Sequence, residues 1–470
     1  MLAACLSPLL LPAGAAAEEV LRSRPDLRPA ELAVARSSPG LAPGLIVLAP
    51  KVAPGRTPSR PVAPGVTLAD DGGRVRYHRR VPRGTIAADA RVQSYRGQPV
   101  LTWWQGTQVL GEGDGDGIVM DTSYRVVKRV RGGDGALLDL HEFTLTPQGT
   151  ALVVVYKERP RDLRWIGGPR RAQVVDSIVQ EVDVATGRLL MRWSSLDDIS
   201  LRESYERAPR SVADTYDYVH VNSVALDTDG NVLVSARHTS AVYKLDRRSG
   251  RLLWRLGGKR SDFRLLGGAR FGFQHDAQAA GAGLVRVFDN GNVRSADRRA
   301  TRVLTLRLDR STRTATQVTA LRHPTRLTAG TQGNAAPLAG SDNLLVGWGS
   351  RGRVSELAPD GRLLFDLLLP PGHDTYRAYR APWPATPPAP PRVVARSRNV
   401  AMSWNGATDV QRWRVLGGAS RDALTVLGEA PWRGLETRTR LPSAPRYVAV
   451  EALDAAGLVL RRSAVVRRRG

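Results

Sequence analysis

Short apolar runs, alternating in places with polar residues and broken by Gly, Asp and Pro, recur along most of the chain. Such a pattern predicts strands joined by tight turns rather than long helices. One unit repeats: an apolar strand, an Asp-containing turn with Gly or Arg, and a second apolar strand. It occurs at residues 68–77, 119–127, 182–190, 244–253, 307–315 and 357–364. With Asp71, Asp121, Asp183, Asp246, Asp309 and Asp360 as markers, the steps are 50, 62, 63, 63 and 51 residues. Asp and Gly suit these turns because a tight hairpin needs positive φ and the Asp side chain can bond its own backbone. Further strand pairs precede later markers, at residues 143–154, 221–235, 277–288 and 335–346. Two hairpins per repeat make a four-stranded sheet, so six copies predict an all-β, six-bladed β-propeller over residues 44–380. Unrelated hairpins in a sandwich would not keep such a step.

The pattern changes after the propeller. Residues 381–391 (Ala-Pro-Trp-Pro-Ala-Thr-Pro-Pro-Ala-Pro-Pro) predict a stiff, extended linker. Residues 392–470 alternate with period two around Trp404, Trp413 and Tyr447, which predicts a small fibronectin-III- or immunoglobulin-like β-sandwich. Residues 18–43 form an N-terminal extension. Residues 1–17 are small and apolar and end in Ala15-Ala16-Ala17, similar to a signal cleavage site. Leu2-Ala3-Ala4-Cys5 is similar to a lipoprotein box, which would make Cys5 a lipid attachment point. No basic residue precedes this stretch, so a start further upstream is expected. The expectation is export, to the medium or the cell envelope. Cys5 is the single cysteine, which leaves no internal disulfide and no cysteine metal site. No apolar run is long enough for a membrane-spanning helix.

Charge narrows the partners. Sixty-nine basic against 44 acidic residues give a net charge of +25, and only Lys51, Lys128, Lys157, Lys244 and Lys259 are lysines. The arginines are spread along the chain, without the one-sided basic face that nucleic-acid binding needs. A basic surface still attracts anionic small molecules or anionic surface polymers.

The chain has seven histidines, and three share a register. His141 stands 8 residues before the turn glycine Gly149, His220 stands 10 before Gly230, and His275 stands 8 before Gly283. Each therefore precedes the first strand of its repeat. In a propeller that strand lines the central channel, so the three imidazoles should converge. Arg237 lies 17 residues after His220, on the return strand of the same hairpin. Three histidines can hold zinc with an open fourth position. A guanidinium beside them favours an anion over a divalent cation, so the site is expected to hold neither metal nor cofactor.

The surrounding motifs are Asp139-Leu-His-Glu-Phe143, Asp217-Tyr-Val-His-Val-Asn-Ser223, Ser235-Ala-Arg-His238, Gln274-His-Asp-Ala-Gln278, Phe288-Asp-Asn-Gly291 and Pro99-Val-Leu-Thr-Trp-Trp104. Together they resemble the bacterial arylsulfate sulfotransferases, a six-bladed propeller family, over residues 44–380, with an actinobacterial-type arrangement of the C-terminal sandwich. The resemblance implies that His275 takes the sulfo group as a sulfohistidine. It also implies that His141, His220 and Arg237 hold the sulfo oxygens, with Asn222 as an amide donor. The activity it implies is ping-pong transfer from a phenolic sulfate ester to a phenolic acceptor, independent of the nucleotide donor PAPS; the sequence shows no Gly-rich phosphate loop. Some family members carry an N-terminal sandwich and a disulfide, whereas here the sandwich is expected after the propeller. Asp276 and Glu142 adjoin two of the histidines and could orient them, although strand neighbours point to opposite faces. Two rival readings remain at this stage: a non-catalytic cell-surface propeller binding sulfated or carboxylated ligands, and a quinone- or metal-dependent oxidoreductase.

Overall fold

The computed structural model describes residues 21–58, 62–109, 111–291 and 300–470. The expected signal segment and Cys5 lie outside the described residues. Up to residue 381 the described strands form six sheets, each built on a four-stranded antiparallel meander, and a two-stranded sheet of Lys51–Val52 and His373–Asp374. In chain order the second holds Ile86–Tyr95, Gln98–Val109, Glu112–Met120 and Val126–Val130. The third holds Phe143–Leu145, Thr150–Arg161, Ala172–Asp183 and Leu189–Ser194. The fourth holds Val221–Leu226, Val232–Ala236, Ala241–Leu245 and Leu252–Gly257. The fifth holds His275–Ala279, Leu284–Asp289, Arg302–Asp309 and Thr314–Leu321, with Arg264–Leu266 added in parallel at its outer edge. The sixth holds Asn334–Pro337, Leu344–Gly347, Arg353–Leu357 and Leu363–Leu368.

The first sheet is built from both ends of this region. Leu45–Leu48, Gly65–Ala69 and Val75–Arg80 are completed by Ala378–Ala381, which pairs with Leu45–Leu48. Each sheet then buries its apolar face against the next. Val47 and Leu68 pack with Leu101 and Ile118, Trp104 and Val119 with Phe143 and Val153, and Val154 and Val179 with Val224 and Val234. Leu233 and Val242 pack with Val285 and Leu304, Phe288 and Val303 with Ala335 and Val346, and Leu345 and Phe365 return to Ile46 and Leu48. Alternating side chains on a pleated strand supply both faces of each sheet, so every sheet contributes to two of these cores.

The repeated turns close the outermost hairpin of each sheet. Asp121 Oδ1 accepts from the Ser123 N–H and hydroxyl, Asp246 Oδ1 from those of Ser249, and Asp309 Oδ1 from those of Ser311. In the first repeat this role falls to Asp70, which accepts from the Gly72 and Arg74 N–H groups, while Asp71 pairs with Arg380. Two adjacent aspartates made the sequence register ambiguous by one residue there.

Two segments expected to be peripheral are integrated. Within the extension, Ala33–Ser37 pairs with Leu363–Leu368 as a fifth outer strand of the sixth sheet. The Pro-rich stretch is no free spacer: Trp383 and Ala385 are buried in the apolar cluster of the first two sheets. Prolines remove donors but leave the intervening Trp and Ala free to pack. The C-terminal residues form two sheets, one of Arg392–Arg396, Asn399–Ser403 and Thr437–Arg440, the other centred on Arg412–Gly418 and Tyr447–Leu453. Met402 and Trp404 of the first side share one core with Trp413, Val415, Val448 and Val450 of the second. This unit rests on the first two sheets: Arg76 stacks 3.4 Å from the Trp432 ring and donates to the Val410 carbonyl at 2.8 Å, and Tyr124 donates to the Gly406 carbonyl at 2.7 Å.

Candidate active site

His141, His220, Arg237 and His275 line one cavity of roughly 780 Å³, together with His238, Tyr376, Lys51 and Gln332. The His141 and His220 rings lie 4.7 Å apart at 77°, and Tyr376 stands 5.4 Å from His141 and 6.4 Å from His275. The shared register therefore does bring the three imidazoles together. Local backbone aims two of them. His220 adopts φ +54°, a left-handed conformation that costs a non-glycine residue energy, just ahead of a bulge at Val221–Ser223. His275 opens a bulge running to Gln278, in which Asp276 is left-handed at φ +50°. Bulges of this kind turn a side chain out of the regular alternation.

Each imidazole is held through Nδ1. Asp139 pairs with His141 Nδ1 and also accepts the His141 N–H at 3.0 Å. Asp217 pairs with His220 Nδ1. His275 Nδ1 lies 2.8 Å from Asn290 Oδ1. The Asn290 amide nitrogen donates to the Ala329 and Gln332 carbonyls at 2.9 and 3.0 Å, which leaves Oδ1 as the acceptor. His275 must then carry its proton on Nδ1 and its lone pair on Nε2, where the Gln332 N–H donates at 3.1 Å. Burial first, and Arg237 second, hold this imidazole well below its ordinary pKa, with His141 and His220 adding to the effect. The neutral form of the ring is thereby favoured. His220 is likewise pushed down, by burial and then by His141 and Arg237.

Arg237 donates to the Gly330 carbonyl at 3.3 Å and lies 4.7 Å from the Phe273 ring. Its backbone N–H bonds the His220 carbonyl at 2.9 Å, so the two residues are fixed to each other across one hairpin. Asn222 behaves differently from the expectation. Its amide nitrogen donates to the Gln274 carbonyl at 2.7 Å and is fully buried away from the cavity lining. It anchors the residue before His275. Asp276 and Glu142 do not orient imidazoles either. Asp276 accepts from the Ala335 N–H at 2.9 Å, and Glu142 joins a buried network with Arg91, Arg377 and Asp89. Both side chains are committed to these partners.

His238, present in the Ser-x-Arg-His motif, was not singled out by sequence. It stacks 4.7 Å from His220, with Nδ1 on the Asp217 carbonyl at 2.6 Å, and its pKa is pushed down to about 3, chiefly by burial. The Asp-x-His and Asp-x-x-His spacings ahead of His141 and His220 were visible signals for the carboxylate partners. Asp217, His220 and His238 offer ligand atoms within 4.8 Å of one another, a grouping a metal ion could use. Here donor faces acceptor: both rings turn Nδ1 toward Asp217, and Arg237 stands close by.

The chemistry available is thus an imidazole whose Nε2 accepts the Gln332 N–H, a guanidinium, and two carboxylate-backed imidazoles. Among solved structures the chain is similar to a protein of unknown function from Bacteroides caccae, at 13% identity over 72% of this chain and 100% of that one, with a TM-score of 0.43. It is also similar to the periplasmic gluconolactonase PpgL of Pseudomonas aeruginosa, at 14% identity over 91% and 96% of the two chains and a TM-score of 0.36. Virginiamycin B lyase of Staphylococcus aureus matches at 7% identity over 80% and 97%, with a TM-score of 0.37. No curated protein matches the chain. Residues 91–368, which hold all five expected site residues, match the arylsulfotransferase (ASST) family, and the chain belongs to that family.

Proposed function

We propose that the six sheets are the blades of a closed β-propeller whose central cavity moves a sulfo group from a phenolic sulfate ester to a phenolic acceptor through a sulfohistidine at His275. The observation that carries this reading is the tautomer of His275: Nδ1–H is committed to Asn290, which leaves Nε2, where the Gln332 N–H donates, as the atom with the lone pair at the cavity that Arg237 also lines. Six interlocking apolar cores, the last returning to the first sheet, support the closed ring.

In the first half-reaction the Nε2 lone pair forms the N–S bond while the S–O(aryl) bond breaks, and the electron pair leaves with the phenoxide. Arg237 and the imidazole of His220, protonated as the anionic ester binds, meet the sulfo oxygens alongside His141, where charge is spread in the transition state. His220, backed by Asp217, passes its proton to the departing phenoxide, whose conjugate acid has a pKa near about 10. In the second half-reaction the acceptor oxygen attacks sulfur, the N–S bond breaks, and His220 takes the phenolic proton. Donor and acceptor are chemically alike, so the cycle is near balance and needs no nucleotide sulfate.

Export, a lipid at Cys5 and a fibronectin-III-like role for residues 392–470 belong to the same proposal: an enzyme of the envelope or medium carrying its own docking module. The test is intact-mass analysis after mixing with excess aryl sulfate. Wild type should gain the mass of one SO₃ and His275→Ala none. Failure to liberate phenol from several aryl sulfates, with retained binding, would leave the non-catalytic anion binder instead.

A further inference from the structure

We propose that Lys51 and Asp374 are positioning residues for sulfo transfer, acting on His275 through Gln332; this rests on the sulfohistidine reading above. The two come from opposite ends of the chain. Strand Lys51–Val52 pairs with His373–Asp374, with Lys51 and Asp374 directly opposite. Lys51 Nζ donates to Asp374 Oδ1 at 2.6 Å, and both side chains are almost wholly buried, at 3% and 0% exposure. The other carboxylate oxygen, Oδ2, accepts from Gln332 Nε2 at 2.8 Å.

Gln332 is thereby pinned at three points. Its side chain is tied to Asp374, its carbonyl accepts from Asn290, and its N–H reaches His275 Nε2. It adopts φ +64°, a conformation that a glutamine keeps only when its surroundings impose it. The next residue, Gly333, holds φ +106°, and a Cβ there would stand 2.3 Å from the Phe288 ring. The conformation of the backbone at 332–333 is therefore restricted. The ring of His275 is bracketed, Nδ1 by Asn290 and Nε2 by the residue that Asn290 and Asp374 both hold.

This geometry gives the Gln332 N–H two successive acceptors. Before reaction it donates to Nε2, and it gives up that bond as sulfur approaches the lone pair. Once that pair has become the N–S bond, the N–H faces the oxygens of the sulfo group just attached, and donates to one of them. The proton on Nδ1 stays with Asn290, the aryl oxygen takes the electrons of the broken S–O bond, and no further reactant is required. A donor that gains its charged acceptor only as the bond forms favours the transition state over the ground state. Lys51 neutralises the Asp374 carboxylate, which would otherwise stand as an uncompensated negative charge beside an anion site.

The test uses the full-length protein and the variants Lys51→Met, Lys51→Arg and Gln332→Gly. The glycine keeps the backbone N–H and suits positive φ, so it folds while losing the tie to Asp374. Lys51→Met and Gln332→Gly should lower kcat for aryl sulfate by on the order of tenfold to a hundredfold with KM little changed, and Lys51→Arg should restore most of it. Independently of turnover, ¹⁵N-histidine NMR of the substrate-free protein should show the His275 Nε2 resonance moving in Lys51→Met and Gln332→Gly but not in Lys51→Arg. Wild type that transfers no sulfo group defeats the functional reading, yet the NMR still decides the positioning. Unchanged kcat with an unmoved resonance overturns the inference, and so does a rise in KM at constant kcat, which would make Lys51 a direct donor contact.

Discussion

Asn290 Oδ1 stands 2.8 Å from Nδ1 of His275, and the amide that carries it is turned by two backbone carbonyls so that only an acceptor faces the ring. One asparagine thus decides which nitrogen of the imidazole carries the proton and which keeps the lone pair. Asn290→Asp puts a carboxylate in the same place, which favours the imidazolium and raises the pKa of His275. The acid limb of the kcat/KM profile should move to higher pH, with activity at neutral pH down by roughly tenfold or more. A pH–rate series on an aryl sulfate checks this; an unmoved limb would dissociate Asn290 from the nucleophile.

Donor binding should take up a proton. His220 is kept neutral in the free protein by burial, His141 and Arg237, and an anionic sulfo group offsets that bias. Affinity for the donor should therefore rise as pH falls through the neutral range, before general acid unfolding begins. Calorimetry in buffers of different ionisation enthalpy measures the uptake, and His220→Gln should abolish it.

Arg237 offers a planar fork, held at the Gly330 carbonyl and against Phe273. Arg237→Lys keeps the charge but not the two-pronged geometry, so kcat/KM should fall by about tenfold to a hundredfold, and Arg237→Ala by more. Steady-state kinetics with one donor and one acceptor distinguishes the two.

The C-terminal unit should matter for stability and not for chemistry. Arg76 is buried between Trp432 and the Val410 carbonyl. Arg76→Ala should destabilise the protein by about 2 kcal/mol or more, seen in thermal melts, while the sulfo-transfer rate at ambient temperature is retained.

Acid sensitivity follows from histidines buried in the neutral form. His78 is pushed down to about 4, by burial first and then by Arg80 and Arg24. With a folded pKa below the unfolded 6.5, its contribution is complete above pH 6.5 and is lost as pH falls toward about 4. His238 extends the same loss lower, to about 3. Melting temperature should fall across this window, and His78→Gln should flatten the upper part of the decline.

Much of the architecture was written locally. An Asp–Ser or Asp–Thr turn bonds its own backbone within a few residues, so six markers could be counted before any contact between sheets was known. The convergence of His141, His220 and His275 was legible for the same reason: equal offsets from a turn mean equal places on equivalent strands. What neighbours in sequence could not decide was where each polar group finds its partner. Asn222 follows His220 by two residues, yet the Gln274 carbonyl of the next sheet claims its amide. Lys51 meets Asp374, and Gln332 meets His275, because the two ends of the chain complete one sheet and fold the sixth against it. Such pairings depend on packing between segments from 52 to 323 residues apart, and that information resides in the assembled core, not in any stretch of the chain.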